Sequence, residues 1–243
     1  MKLLFIRHGD PDYINDALTE KGKREALLLA ERMANTHVDY CYSSPLGRAK
    51  LTAEPCLKRM NMDAEEMEWL EEFRPKILRP DSPERSHVSW DWLPQDWTKR
   101  EHFYRYDEWW DDDILNEGHV KERAAHVFSE LDKLLAKHGY ERDGQFYRAV
   151  KPNNDTIALF CHFGVTTLIL SHLIGASPMV LWHGMVSAPT SVTTVYTEER
   201  RRGIASFRIA AFGDISHLYV ANEPPAFSGR FCECYDNEDE RHD

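Results

Sequence analysis

Leu3-Leu4-Phe5-Ile6-Arg7-His8-Gly9 opens the chain as a short apolar run that stops at a cation, an imidazole and a glycine. An apolar run of this length, bounded by Gly and Pro, reads as a buried strand followed at once by a loop. In an open α/β sheet, ligands sit just beyond the carboxyl ends of the strands. Arg7 and His8 are therefore delivered to the edge of a sheet where chemistry is usually done. Two more runs repeat the pattern. Residues 38–42 read as a strand that ends in Ser43-Ser44-Pro45, and residues 156–161 as a buried strand that ends in His162-Phe163-Gly164.

Between these runs the chain reads mostly as helix. Residues 10–18 are rich in Asp, Pro and Asn and read as a loop. Thr19 is then a natural N-cap for a helix carrying Ala26, Leu27, Leu29, Ala30 and Met33. A second helix starts near Leu46, and Pro55 is expected to end or kink it. Residues 67–70 read as a brief extended piece. Residues 117–138 form an amphipathic helix with Val120, Ala124, Val127, Phe128, Leu131, Leu134 and Leu135 on one face and Asn116 as its candidate N-cap. Asp143-Gly144 reads as a turn, and residues 165–174 as the helix after the His162 strand. Residues 191–197 and 204–211 are β-rich and flank a charged turn, which predicts a hairpin or edge strands.

Strands alternating with helices predict an α/β fold: a three-layer α/β/α sandwich around a mostly parallel central sheet. At 243 residues the chain is expected to form a single domain. Residues 74–115 break the pattern. They hold five of the seven tryptophans, Trp90, Trp92, Trp97, Trp109 and Trp110, interleaved with prolines and acids. The segment is too short and too polar to own a core. It reads either as a cap over a substrate or as a packed or dimer-forming excursion, so a homodimer is compatible with the sequence. The acidic end, about 232–243, is expected to be mobile.

Charge and composition narrow the partners. A formal net charge of −11 argues against a general nucleic-acid binder, whose affinity would come from a basic footprint. A few local arginines still suffice for an anionic substrate. No segment approaches the roughly 20 apolar residues that span a bilayer, and the first apolar run is too short for a signal peptide. The five cysteines, Cys41, Cys56, Cys161, Cys232 and Cys234, are odd in number and scattered, which suits a reducing cytoplasm. Cys232 and Cys234 lack a second pair with zinc-type spacing, so free thiols are expected.

The strand ends combine. Parallel strands put Arg7-His8, the segment from Ser44 to Arg48, and His162 on one edge of the sheet. Two arginines and two histidines suit a phosphoryl group. Guanidinium forks bind phosphate oxygens bidentately and stay charged. A histidine nitrogen attacks phosphorus to form a phosphohistidine, and a second histidine, if protonated, adds a donor. Side-chain cations of this kind leave no need for a metal, and no HExxH-like or paired-carboxylate metal motif is present.

On these residues the sequence resembles the histidine phosphatase superfamily, the phosphoglycerate-mutase-like proteins of branch 1. Leu4-Phe5-Ile6-Arg7-His8-Gly9 looks like its signature, and Leu18-Thr19-Glu20-Lys21-Gly22 like its "LTxxG" stretch. Ser43-Ser44-Pro45-Leu46-Gly47-Arg48-Ala49 resembles "SSPLxRA". Asn116-Glu117-Gly118 with Arg123 resembles the segment before the long helix, and Cys161-His162-Phe163-Gly164 the second-histidine motif. The likeness runs from about Lys2 to Thr197 in order and spacing.

The resemblance implies a metal-independent, cofactor-free phosphatase acting on phosphomonoesters of a small anionic metabolite. His8 is the implied nucleophile, with Arg7, Arg48 and His162 holding the phosphoryl oxygens. A carboxylic acid in Leu70-Glu71-Glu72-Phe73 is the implied general acid, Glu72 first and Glu71 in reserve. Two departures bear on this. The asparagine that many members carry six residues after the nucleophile is replaced by Ile14, with Asn15 beside it; Tyr13 and Asn15 are weak candidates for a phosphate contact. The "NxFTGW"-like stretch of the mutase branch is absent, which favours a phosphatase. The alternatives are phosphoglycerate-mutase-type transfer and a weakly active phosphate-binding regulatory protein.

Overall fold

The computed structural model describes residues 1–242; the end of the acidic tail at position 243 lies outside them. Twelve strands and eight α-helices follow one another as β1 (Lys2–Arg7), β2 (Pro11–Asp12), β3 (Ala17–Leu18), α1 (Glu20–Ala34), β4 (Tyr40–Ser43), α2 (Gly47–Met60), β5 (Glu65–Glu66), β6 (Lys76–Leu78), β7 (Ser86–Val88), α3 (Pro94–Trp97), α4 (Asp113–Glu117), α5 (Val120–Lys137), β8 (Tyr140–Asp143), β9 (Phe146–Ala149), β10 (Thr156–Cys161), α6 (Phe163–Ile174), α7 (Pro178–Gly184), β11 (Val192–Arg201), β12 (Ile204–Asp214) and α8 (Ser216–Val220).

Eight strands build the central sheet in the order β5-β4-β10-β1-β11-β12-β9-β8. Its site-bearing half, β5, β4, β10 and β1, is parallel. The half beyond β1 is antiparallel, because β11 and β12 form the expected hairpin and β8 and β9 form another across Asp143-Gly144. β11 is an interior strand paired to β1, not an edge.

Alternation along β1 and β10 divides the core between the two faces. Leu4, Ile6, Ala158 and Phe160 pack with Leu29, Ala30 and Met33 of α1 and Ala53 and Cys56 of α2. Leu3, Phe5, Ile157 and Leu159 face α5 and α6. Helices thus cover both sides, and the predicted α/β/α layering is present. α6 is apolar nearly all round because it is buried nearly all round, between the sheet and residues 74–115.

Local signals place several boundaries. Thr19 caps α1 by accepting from Gly22 N at 3.0 Å. Pro55 does not end α2, which runs on to Met60 and closes at Asn61 in the left-handed region. The long helix starts at Val120, not near residue 117. Its cap is His119 at φ 52°, and the preceding turn is the separate helix α4, capped by Asp112. Residues 68–70 are a 3₁₀ turn, not an extended piece.

The Trp-rich segment owns no core; it lends its side chains to the main one. Trp92, Phe103, Trp109 and Leu115 are buried there, with Trp109 edge-on to Trp182 of α7 at 5.4 Å. Arg79, buried in the same segment, pairs with Asp81 and Asp91. No helix among the described residues is long and apolar enough to cross a membrane. All five cysteines are free thiols.

Candidate active site

The register of β1 against β10 pairs Arg7 with Cys161, so the next residues, His8 and His162, leave the two strands at equal height. Their rings lie 5.1 Å apart, centroid to centroid, tilted by 54°. Both are buried. His8 stays in the ladder for one more step: its N–H donates to Cys161 O at 3.1 Å, and its carbonyl accepts from Thr190 N at 3.1 Å. Thr190 sits at φ 59°, costly for a β-branched residue.

Hydrogen bonds assign the ring protons. His8 Nδ1 lies 2.7 Å from Gly9 O. A carbonyl only accepts, so Nδ1 carries the proton and Nε2 presents a lone pair. His162 is engaged through its other ring nitrogen, Nε2. Ser44 Oγ accepts from Leu46 N at 3.3 Å and lies 2.8 Å from His162 Nε2, so the hydroxyl proton is free to go to Nε2. When the Ser44 hydroxyl donates to Nε2, the ring proton of His162 sits on Nδ1, which is buried and has no partner among the described residues. Burial, with Arg7 and Arg48 nearby, holds the pKa of His8 well below the usual histidine range. Burial, then His8 and the arginines, does the same to His162. Both rings are neutral at neutral pH, so His162 offers its donor without the protonation expected above.

Arg7 ends β1 with Nη1 bonded to Ser187 O and to Ser228 O, the latter at 3.4 Å. Arg48 opens α2 with Nη1 held by Asp16 Oδ1 at 2.5 Å, while Asp16 Oδ2 accepts from Gly47 N at 2.6 Å. Both guanidiniums leave Nε buried without a partner. Arg7 Nε, Arg48 Nε and His162 Nδ1 are thus three buried nitrogens without a partner among the described residues, carried by the residues that adjoin His8. Each such unpaired donor costs about 1–3 kcal/mol, and phosphoryl oxygens are acceptors of the kind they lack.

Glu72 is the carboxyl that reaches this cluster. Its Oε1 accepts from Phe73 N at 2.9 Å and Val165 N at 3.1 Å. Burial raises its pKa above the ordinary glutamate value despite Arg7 and Arg48. Glu71 turns away to an ion pair with Arg123 at 3.2 Å. The pocket therefore unites all five expected residues, Arg7, His8, Arg48, Glu72 and His162, and leaves Glu71 out.

Asp16, Ser44 and Trp90 went without a site role in the sequence, and Tyr13 was a weak candidate there. Asp16 and Ser44 orient Arg48 and His162. Tyr13 places its ring 5.5 Å from the Arg48 guanidinium and supports the charge on Arg7. Trp90 donates its indole N–H to Phe73 O and stands edge-on to Phe163 at 6.0 Å. Asn15 is engaged with Asp12 at 2.7 Å. Ser44 lay inside a quoted motif and Asp16 in an Asp-rich loop. Their partners are 118 and 32 residues away, beyond any local signal. No cluster of His, Cys, Asp and Glu placed to hold a metal occurs among the described residues.

Comparison with known proteins agrees with this geometry. The model of the histidine phosphatase superfamily (branch 1) matches residues 3–210. Phosphoserine phosphatase 1 of Hydrogenobacter thermophilus is 33% identical over 72 residues, 26% of this chain and 34% of that protein, so the match spans about a third of that relative's length. A mutant phosphoserine phosphatase from Entamoeba histolytica, solved with phosphoserine, superposes with TM-score 0.57 at 19% identity, covering 89% of this chain and 98% of that one. A mycobacterial glucosyl-3-phosphoglycerate phosphatase does so with TM-score 0.54 at 15% identity, covering 87% and 98%. The two structures share the fold.

Proposed function

Because the chain belongs to the histidine phosphatase superfamily, branch 1, we propose that it is a metal-independent phosphomonoesterase working through a phosphohistidine on His8. The observation that carries this reading is the free Nε2 of His8 together with three buried, unpartnered donors on the residues that adjoin it. Arg7 and Arg48 bind the equatorial oxygens, and their charges stabilise the transition state. The Nε2 lone pair forms the P–N bond while the ester P–O bond breaks. The leaving alkoxide takes the proton of Glu72, whose raised pKa suits that task. Water then attacks phosphorus, Glu72 takes a proton back, the P–N bond breaks, and inorganic phosphate leaves.

The substrate is a small phosphorylated metabolite. The names of the relatives, a phosphoserine phosphatase and a glucosyl-3-phosphoglycerate phosphatase, support a phosphoester of modest size. Residues 74–115 act as its cap, since they bring Trp90 to Phe73 and Phe163 beside the pocket. Buried free thiols suit work in the cytoplasm.

The test is p-nitrophenyl phosphate hydrolysis with EDTA present. Wild type is expected to turn over regardless of EDTA, and His8→Ala to lose activity. Loss with EDTA, or activity in His8→Ala, overturns the mechanism. On an alkyl phosphate, whose leaving group needs a proton, Glu72→Gln is expected to lose roughly 10²–10⁴-fold in kcat, and Glu71→Gln little.

A further inference from the structure

The family match ends at residue 210, yet a segment past it returns to the pocket. Beyond α8 the chain reverses at Asn222, φ 53°, and residues 223–229 run back across the loop that follows His8. Glu223 and the Pro224 carbonyl are held by Lys21 of α1 at 3.1 and 2.5 Å. Ala226 N donates to Glu25 Oε1 at 3.1 Å, and the other oxygen of this buried carboxyl accepts from Asp10 N at 3.0 Å. Glu25 therefore staples the segment to the backbone two residues past the nucleophile. Ser228 Oγ donates to Asp10 Oδ1, and Ser228 O accepts from Arg7 Nη1 at 3.4 Å.

Gly229 closes the contact. It lies at φ +94°, and a Cβ there would stand 2.7 Å from Arg7 Nη1 and 3.0 Å from Nη2. No side chain fits between this backbone and the guanidinium. The far end of Arg7 is thus gripped by two carbonyls, Ser187 O and Ser228 O, while its Nε stays unpaired. A guanidinium has two edges for binding oxyanions. With Nη1 committed and Tyr13 bonded to the same guanidinium, the edge carrying the unpaired Nε is the one left for a phosphoryl group.

We propose that residues 223–229 are a strap that belongs to the phosphate site, positioning Arg7 so that its Nε edge meets the oxyanion. The proposal rests on the phosphatase reading of the pocket and goes beyond it. It makes Ser228 and Gly229 positioning residues, acting through Arg7 without touching substrate.

The experiment titrates inorganic phosphate by calorimetry into wild type, Gly229→Ala, a chain ending at Asn222, Arg7→Ala, and the double variant Arg7→Ala/Gly229→Ala. Gly229→Ala and the shortened chain are expected to bind phosphate about tenfold more weakly, the worth of one charge-assisted hydrogen bond. Steady-state kinetics of Gly229→Ala should show KM rising and kcat falling together. In the Arg7→Ala background, Gly229→Ala should add nothing.

Full phosphate affinity in Gly229→Ala overturns the strap alone. So does an equal further loss in the Arg7→Ala background, which marks a general structural effect. If the shortened chain does not fold, Gly229→Ala decides the question. A wild type that neither binds phosphate nor hydrolyses the aryl ester overturns the pocket reading, and the strap with it.

Discussion

His8 and His162 present opposite ring nitrogens to their surroundings, and that difference divides their labour. Gly9 O holds the proton of His8 on Nδ1 and leaves Nε2 as a lone pair, while a Ser44 hydroxyl donating to Nε2 holds the proton of His162 on Nδ1 and leaves that atom as the unpartnered donor. Ser44→Ala frees His162 to move its proton to Nε2, turning a donor away from the phosphoryl oxygens. Its kcat on p-nitrophenyl phosphate is expected to fall about tenfold. Ser44→Thr, which keeps the hydroxyl, should recover most of it. Steady-state kinetics of the two variants checks this, and equal activity in Ser44→Ala and wild type would remove Ser44 from the site. The proposed reacting residues were legible in the sequence: Arg7, His8 and His162 because they close apolar runs, and Arg48 and Glu72 because they fall in stretches that resemble family motifs. Those that hold them were not. Asp16 reaches Arg48 only because a left-handed backbone at φ 48° turns it inward, and no composition rule foretells that.

Helix α6 meets residues 74–115 closely at Gly164. A Cβ on Gly164 would lie 2.6 Å from both Glu72 Oε1 and Trp90 Nε1. Gly164→Ala must therefore push the acid, the indole or both. Because p-nitrophenolate leaves without help, its hydrolysis should fall less than that of an alkyl phosphate. The ratio of the two rates, compared with wild type, measures the displacement of the acid; an unchanged ratio would mean that the indole alone gives way. Elements set by local chemistry were readable: β10 from its six-residue apolar run, α1 from Thr19. The break between α4 and α5 was not. Gly118 packs its Cα against Lys76 O, where a Cβ would come within 2.5 Å, so the helix is interrupted by a contact 42 residues away. The fate of the tryptophans was hidden for the same reason, since α6 and α7 supply the partners that bury them.

At the scale of the molecule, burial of neutral histidines ties stability to pH. His217 lies under Thr190, its Nε2 3.1 Å from Thr190 Oγ1. Burial, reinforced by Arg32, brings its pKa down to about 4. Unfolded, it titrates near 6.5. Above pH 6.5 both states are neutral and the group contributes no pH dependence. Below that, the unfolded chain binds the extra proton, so folding stability declines until about pH 4, by roughly 3 kcal/mol for this residue. His8 and His162 push the same way. Urea midpoints at pH 7 and pH 5 should show the drop, and His217→Gln should shrink it by about 2 kcal/mol; an unchanged drop would show that His217 titrates normally. The layered α/β plan was readable from the alternation of runs. The antiparallel half of the sheet was less so, because strand direction there depends on which neighbour each hairpin joins.

The ladder that carries His8 one step past β1 has a consequence in time. The amide of His8, bonded to Cys161 O, and that of Ser44, bonded to Phe160 O at 2.8 Å, belong to the most deeply covered backbone in the chain. Their deuterium uptake should be among the slowest, released only when the whole sheet opens. The amide of Glu84, in an exposed turn, should exchange far sooner. The protein would then run on two clocks: a reacting centre that keeps the lifetime of the fold, and a rim that rearranges many times within it.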